Sequence, residues 1–276
     1  MKTDSRARIL ASCAVAEPWP RLVLAILMGV PLLSRLHLPG AFDEPLYFAV
    51  MDDVFYYTKT AINFWEKGFY TFDGLTHTNG YHPIWMWACT ILALPLWLTG
   101  HPSALPLLVM ALNVGVLVGA GQIIYTVMRS WGISTPLCVF VSAIPTLLVP
   151  YQYLLNGMET GALWLATLIL LGYLLRRKQQ GREVSPYTLG LCSALVFLSR
   201  LDSAVFLIAF YAFAIPIYGV KVLLRAGLTM LLLVAQGLAA PWLRVAQAGS
   251  FGLYQVAPEP QAQVRQFRTF AVCTAI

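Results

Sequence analysis

Residues 51–68 read MDDVFYYTKTAINFWEKG. Met51, Val54, Phe55, Thr58, Ile62 and Trp65 recur at three- and four-residue spacing, and Asp52, Tyr56, Lys59, Asn63 and Glu66 form the opposite stripe. That period predicts an amphipathic helix, with Gly68 as its stop signal. The setting of this helix decides the fold. It lies inside a polar loop, about 39–81, with long apolar runs on both sides. An aromatic-rich amphipathic helix next to a span is expected in the membrane interface.

Working outward, apolar runs occur near 22–38, 82–99, 104–128, 134–153, 158–175, 186–199, 203–219 and 226–243. Runs of about 17–25 residues read as membrane helices. Several contain Gly or Pro, which membrane helices tolerate. The chain is 59% hydrophobic and 11% charged, with a mean hydropathy of +0.70. A soluble domain carries about 25% charge. The expected fold is all-α: a polytopic transmembrane protein of about 7–9 membrane helices. The runs are continuous and not alternating, which excludes a β-barrel.

Lys2, Arg6, Arg8 and Arg21 precede the first run. No small-residue cleavage site follows it, so it is read as a retained span with a cytoplasmic N-terminus, not a secretory leader. The net charge of +6 is then mostly cytoplasmic anchoring. No basic face with interleaved aromatics accompanies it, so nucleic acid is not an expected partner. Cys13, Cys89, Cys138, Cys192 and Cys273 form no CxxC pair and read as small hydrophobes. Residues 1–243 are expected to form the membrane domain. Residues 244–276 are read as a polar tail, and the chain as a possible N-terminal portion of a longer protein. The expected location is the cell (inner or plasma) membrane.

Arg176, Arg177, Lys178 and Arg182 make the strongest basic loop, expected to be cytoplasmic. This places residues 156–160 and 199–203 outside, with the 39–81 loop. Three apolar runs separate that loop from Asn156, and three crossings would put Glu159 inside. One run is therefore re-entrant, in-plane or broken. Pro145 and Pro150 make 134–153 a candidate, and Gly115, Gly119 and Gly121 make 104–128 another.

Charge is costly near lipid and is rarely kept without a use. Asp43, Glu44, Asp52, Asp53, Glu66 and Asp73 account for much of the acid, and only Glu159 and Asp202 lie against strongly hydrophobic sequence. Asp52 and Asp53 head the amphipathic helix. Adjacent helical carboxylates point about 100° apart, so the two suit different roles, such as general base and cation ligand (Mg²⁺ or Mn²⁺). The plain alternative is a carboxylate pair favoured by the helix dipole. Asn79-Gly80-Tyr81-His82-Pro83 is a turn whose His could meet a phosphate or a proton, or an interfacial anchor. Asn156-Gly157-Met158-Glu159-Thr160 is a capping segment or a site carboxylate. Ser199-Arg200-Leu201-Asp202-Ser203 is a self-paired hairpin, or an Arg that holds a phosphate with the Asp orienting it. Together these residues suit a membrane enzyme acting on a lipid-linked phosphate ester. A transporter or lipid-carrier binding protein, or an inactive paralogue, is the alternative. A transporter would place its charges at mid-membrane and often carries a repeat, and no repeat is found here.

The pattern Asp52-Asp53-x-Phe55-Tyr56, Asn63, Thr78-Asn79-Gly80-Tyr81-His82-Pro83-Ile84-Trp85, Gly157-Met158-Glu159-Thr160 and Arg200-x-Asp202 resembles prokaryotic members of the GT-C superfamily. These are multi-span glycosyltransferases that use polyprenyl-phosphate sugars, related to the protein mannosyltransferase and arabinofuranosyltransferase groups. The resemblance covers about 43–203. It implies a first external loop bearing the acidic motif and an inverting transfer to a glycan, lipid or protein hydroxyl. It also implies that Asp52 or Asp53 is the catalytic base, Asp52 being favoured, with both as metal ligands if a metal is used. Tyr56, Lys59, Asn79, Tyr81, His82, Glu159, Arg200 and Asp202 are the expected substrate-binding residues. Members of the superfamily usually run to roughly twice this length.

Overall fold

The structure is a computed structural model that describes residues 18–36, 52–78, 80–148 and 157–250. Nine α-helices are described: α1 (Pro18–Leu36), α2 (Asp52–Lys67), α3 (Pro83–Leu98), α4 (Leu105–Ser130), α5 (Thr135–Leu148), α6 (Thr160–Gln179), α7 (Pro186–Ser199), α8 (Ala204–Tyr218) and α9 (Val220–Ser250). Short 3₁₀ turns, Pro102–Ala104 and Leu201–Ser203, lead into α4 and α8. No strand occurs among the described residues. Three helical stretches, Pro102–Ser130, Leu201–Tyr218 and Val220–Leu238, are long and apolar enough to cross a membrane. By length and composition this is a helical membrane protein.

The chain divides into two compact units, Met1–Ala239 and Ala240–Ile276. In the second, the described residues 240–250 are the helical end of α9. Residues 244–250, expected to be polar tail, are therefore helical. The rest of that tail and the basic N-terminal residues before Pro18 lie outside the described residues.

Within the first unit, close glycine contacts fix the helix directions. A Cβ on Gly161 would strike Asn113, Gly119 faces Leu165, and Gly172 faces Ile123 and Val127. The matching order makes α4 and α6 parallel. The Arg21 carbonyl accepts from Gln122 Nε2 at 2.9 Å, while Gly29 faces Val118, so α1 runs against α4. Cys138 packs with Tyr125, and the Ser142 carbonyl abuts Gly121, so α5 does the same. Helices α6 and α7 form a hairpin, closed where Ser185 N–H donates to Tyr173 Oη at 2.8 Å. Helix α8 folds back on α7, with Tyr211 Oη donating to Ser193 Oγ at 3.1 Å. Gly190 lies against Ala226 and Thr229, and Gly237 against Leu198, so α9 runs parallel to α7.

Helix α3 is placed by both of its ends. Helix α3 starts at His82, whose Nδ1 accepts from Leu201 N–H at the junction of α7 and α8. Its far end joins α4 through a tight turn in which His101 N–H donates to the Leu96 carbonyl at 2.9 Å. The first turns of α4, Leu105 to Asn113, are about 12 Å of helix at about 1.5 Å per residue. They extend beyond Gly161 at the same end of the bundle. Helix α3 thus begins and ends at that end. Of the sequence runs, 82–99 becomes the 16-residue helix α3 and 134–153 the 14-residue helix α5, both shorter than the three stretches above. Helix α3 is apolar throughout and buries Trp85, Met86, Cys89 and Ala93 against protein.

Helix α2 forms where its periodicity predicts, and Gly68, at φ 81°, ends it. Its buried face is wider than a lone interfacial stripe. Val54, Tyr57, Thr58, Thr60, Ala61 and Asn63 are buried, with α2 packed on α3 and α4. Asn63, assigned above to the polar stripe, is inside. Lys59, Glu66 and Lys67 are exposed. Trp65 Nε1 donates to the Thr90 carbonyl at 2.8 Å, which fixes α2 along α3.

Gly161 sits where α4 and α6 approach most closely. Gly161→Val should push the helices apart and cost about 1–3 kcal/mol by overpacking. A thermal melt in detergent checks this; an unchanged midpoint would mean the helices are not in this register.

Candidate active site

The turn that feeds α3 is built first. Asn63 Nδ2 donates to the carbonyls of Thr71 (2.8 Å) and Phe72 (3.1 Å). Asp73 Oδ1 accepts from Thr71 Oγ1 (2.9 Å), Leu75 N–H (2.8 Å) and Thr76 N–H (2.8 Å), and Oδ2 accepts from Thr76 Oγ1 (2.7 Å). These bonds, those from Thr76 first, hold the Asp73 carboxyl far below the usual carboxylate range. Thr78 N–H donates to the Tyr70 carbonyl at 2.9 Å and closes the loop. The result delivers His82 to the start of α3. There Pro83 occupies the first helical position, where its missing N–H costs nothing.

The opposite wall starts at Gly157. Its φ is +70°, and a Cβ there would lie 2.7 Å from Val54 Cγ2, so conformation and space both require glycine. Its carbonyl accepts from Trp85 Nε1 at 2.8 Å. The backbone of α2's first turn, which carries Asp52 and Asp53, is therefore set beside the Gly157–Glu159 turn.

Glu159 is 2% exposed, and it makes no cap hydrogen bond to α6. The capping reading is corrected: its carboxylate faces three other segments. Tyr57 Oη donates to Oε2 at 3.3 Å. His82 Nε2 stands 3.4 Å from Oε1, and Arg200 Nε 3.8 Å from the same oxygen. Tyr57 Oη also accepts from His82 N–H at 3.3 Å. Burial first, and then the Glu159 charge, hold the Tyr57 phenol far above its ordinary range, so it stays a donor. Leu201 N–H donates to His82 Nδ1 at 3.2 Å. That nitrogen carries no proton, so the neutral ring places its hydrogen on Nε2, toward Glu159. Both ring nitrogens are thus engaged within the protein.

Arg200 remains. Its Nε lies 3.1 Å from Asp202 Oδ1, yet it is enclosed and has no aligned hydrogen-bond acceptor. Asp202 is 65% exposed. Beside them is a cavity of about 420 Å³, lined by Leu163, Thr167, Arg200, Asp202, Ser203 and Phe206. One end is charged and the other apolar. A guanidinium with unmet donors there is suited to an anionic group on an apolar chain.

The structure brings His82, Glu159, Arg200 and Asp202 together from three segments more than a hundred residues apart at the widest. Tyr56 is half-buried and stacks on Phe72 at 5.3 Å. Tyr81 packs on Tyr70 at 5.1 Å, and its phenol is pushed up to about 12, mainly by burial. Both flank the site and support the turn. Lys59 is on the exposed face of α2, away from Glu159. Asn79, Asn156, Asp43, Glu44 and the side chains of Asp52 and Asp53 lie outside the described residues. Among the described residues no three of His, Cys, Asp and Glu gather as a metal cage.

Sequence reasoning missed Tyr57, Trp85 and the Leu201 amide. Tyr57 was legible, being three residues after Val54 on the same stripe. A backbone amide leaves no sequence signal. No protein-family model matches the chain, and no curated protein or solved structure is significantly similar to it.

Because the Asp73 carboxyl is depressed in the folded chain, its contribution is present above about pH 4, the ordinary carboxylate value. It is lost as pH falls below that value. Hydrogen exchange should show residues 71–76 opening at acid pH, and Asp73→Ala should open them at neutral pH. Equal protection in both proteins would refute this role.

Proposed function

We propose that this chain is a membrane glycosyltransferase, moving a sugar from a polyprenyl-phosphate carrier to an acceptor hydroxyl on the non-cytoplasmic side. One observation carries the reading. Tyr57, His82, Glu159 and Arg200 meet where α3, α6 and α8 begin and α7 ends, close to helix termini. That position favours an enzyme at the interface over a transport path through the bilayer.

The charge distribution supports the sidedness. Arg21, Arg129, Arg176, Arg177, Lys178, Arg182, Lys221 and Arg225 all belong to the end opposite the site. By the positive-inside rule that end is cytoplasmic. Seven helices (α1, α4, α5, α6, α7, α8 and α9) then cross, while α2 and α3 stay in the outer interface. The N-terminus is inside, and the parity is consistent.

In this reading Arg200 binds the carrier's phosphate, and the apolar wall of Leu163 and Phe206 takes the first part of its chain. Asp52, in the first turn of α2, accepts the proton of the acceptor hydroxyl. The hydroxyl oxygen bonds to the anomeric carbon as that carbon's bond to the phosphate oxygen breaks. Configuration inverts, and polyprenyl phosphate leaves with its electron pair stabilised by the Arg200 charge. A metal held by Asp52 and Asp53 would add positive charge near the same phosphate.

Arg200→Ala and Asp52→Asn should each lower transfer from a polyprenyl-phosphate sugar by about a hundredfold or more in native membranes. Transfer at the wild-type rate in both would overturn the assignment, as would uptake of labelled sugar into sealed vesicles with no bond cleaved. A cysteine at Leu75 should react with an impermeant maleimide from outside the cell, and one at Gln179 should not. The reverse pattern would overturn the sidedness.

A further inference from the structure

We propose that Tyr57 and Glu159 are positioning residues that set the charge available at Arg200, and that neither touches substrate. The proposal rests on the reading of Arg200 as the phosphate-binding group. Both Glu159 oxygens are engaged by the protein, Oε2 with Tyr57 and Oε1 with His82 and Arg200. At 2% exposure the residue has no free face for a ligand. The His82 side chain is 25% exposed, but both its nitrogens are engaged, with Leu201 N–H on Nδ1 and Glu159 at Nε2. The expected roles of Glu159 and His82 as substrate contacts are therefore replaced. The site has two layers. Tyr57, His82 and Glu159 lie inside, and Arg200 and Asp202 face the cavity.

Among the described residues, the carboxylates facing Arg200 are those of Glu159 and Asp202. Two carboxylates share one guanidinium, and an incoming phosphate must compete with both. Asp202 is exposed and its pull is weakened by water. Glu159 is buried, where attraction at 3.8 Å is screened far less. Tyr57 moderates it by donating to Oε2, which takes up part of the carboxylate's charge. The two residues therefore act with opposite sign. Removing the Glu159 charge frees Arg200 for an anion. Removing the Tyr57 hydroxyl leaves Glu159 to hold Arg200 more tightly.

The test is binding of farnesyl phosphate to the purified full chain in detergent, with farnesol as the uncharged control. Glu159→Gln should bind it about three- to tenfold more tightly than wild type, and Tyr57→Phe about two- to fivefold more weakly. Farnesol affinity should not change in either variant. Turnover should fall in both, so the donor KM and kcat of Glu159→Gln fall together. That split is opposite to the raised KM of a lost phosphate contact. Tyr57→Phe keeps the ring and its packing, so it reports even if Glu159→Gln fails to fold. Weaker or unchanged binding by Glu159→Gln, or tighter or unchanged binding by Tyr57→Phe, overturns the proposal alone. Wild-type binding that Arg200→Ala does not weaken overturns the phosphate reading as well.

Discussion

A carboxylate taken out of water is costly unless charge and hydrogen bonds are returned to it, and the site end of this protein is organised around one such group. Glu159 is buried at the mouth of α6 and recovers partners from α2, from the start of α3 and from the corner between α7 and α8. No single segment satisfies it. The four have to arrive together, and in doing so they bring the polar residues of a mostly apolar chain to one place.

Several plain features serve that arrival. Gly157 lets α2 settle against the turn before α6, and Trp85 ties α3 to the same turn by a hydrogen bond. The Asp73 turn makes the loop before His82 a fixed spacer. His82 then acts as a strut, joining the Leu201 amide on one side to Glu159 on the other. Arg200 is the group left with unmet donors, and it borders the cavity. Among the described residues of the site, Arg200 is the cation that borders the cavity.

Much of this was legible in the residues. Most hydrophobic runs gave the helices to within a few residues, because burial and lipid both select apolar side chains; the last helix, Val220–Ser250, extends well past its run, 226–243, at both ends. Rare charges in apolar sequence marked Glu159, Arg200 and Asp202, because such charges need partners. The role of α3 was not legible. It is as apolar as a span, and only its contacts show that its start meets the α7–α8 junction. The placement of Asn63 also misled, since its amide serves the loop's own carbonyls and is buried for that reason. The engagement of both His82 nitrogens depends on a backbone amide from Leu201, which no side-chain pattern encodes.

The convergence of three other segments on Glu159 is tested most directly by a double-mutant cycle between Tyr57 and Glu159, read as thermal stability of the purified full chain. Phe at 57 and Gln at 159 remove the two ends of one contact. Their effects should fall short of additive by about 1.5–3 kcal/mol, the scale of a hydrogen bond to a charged group. Strict additivity would mean that the two side chains do not meet, and the described site would not exist.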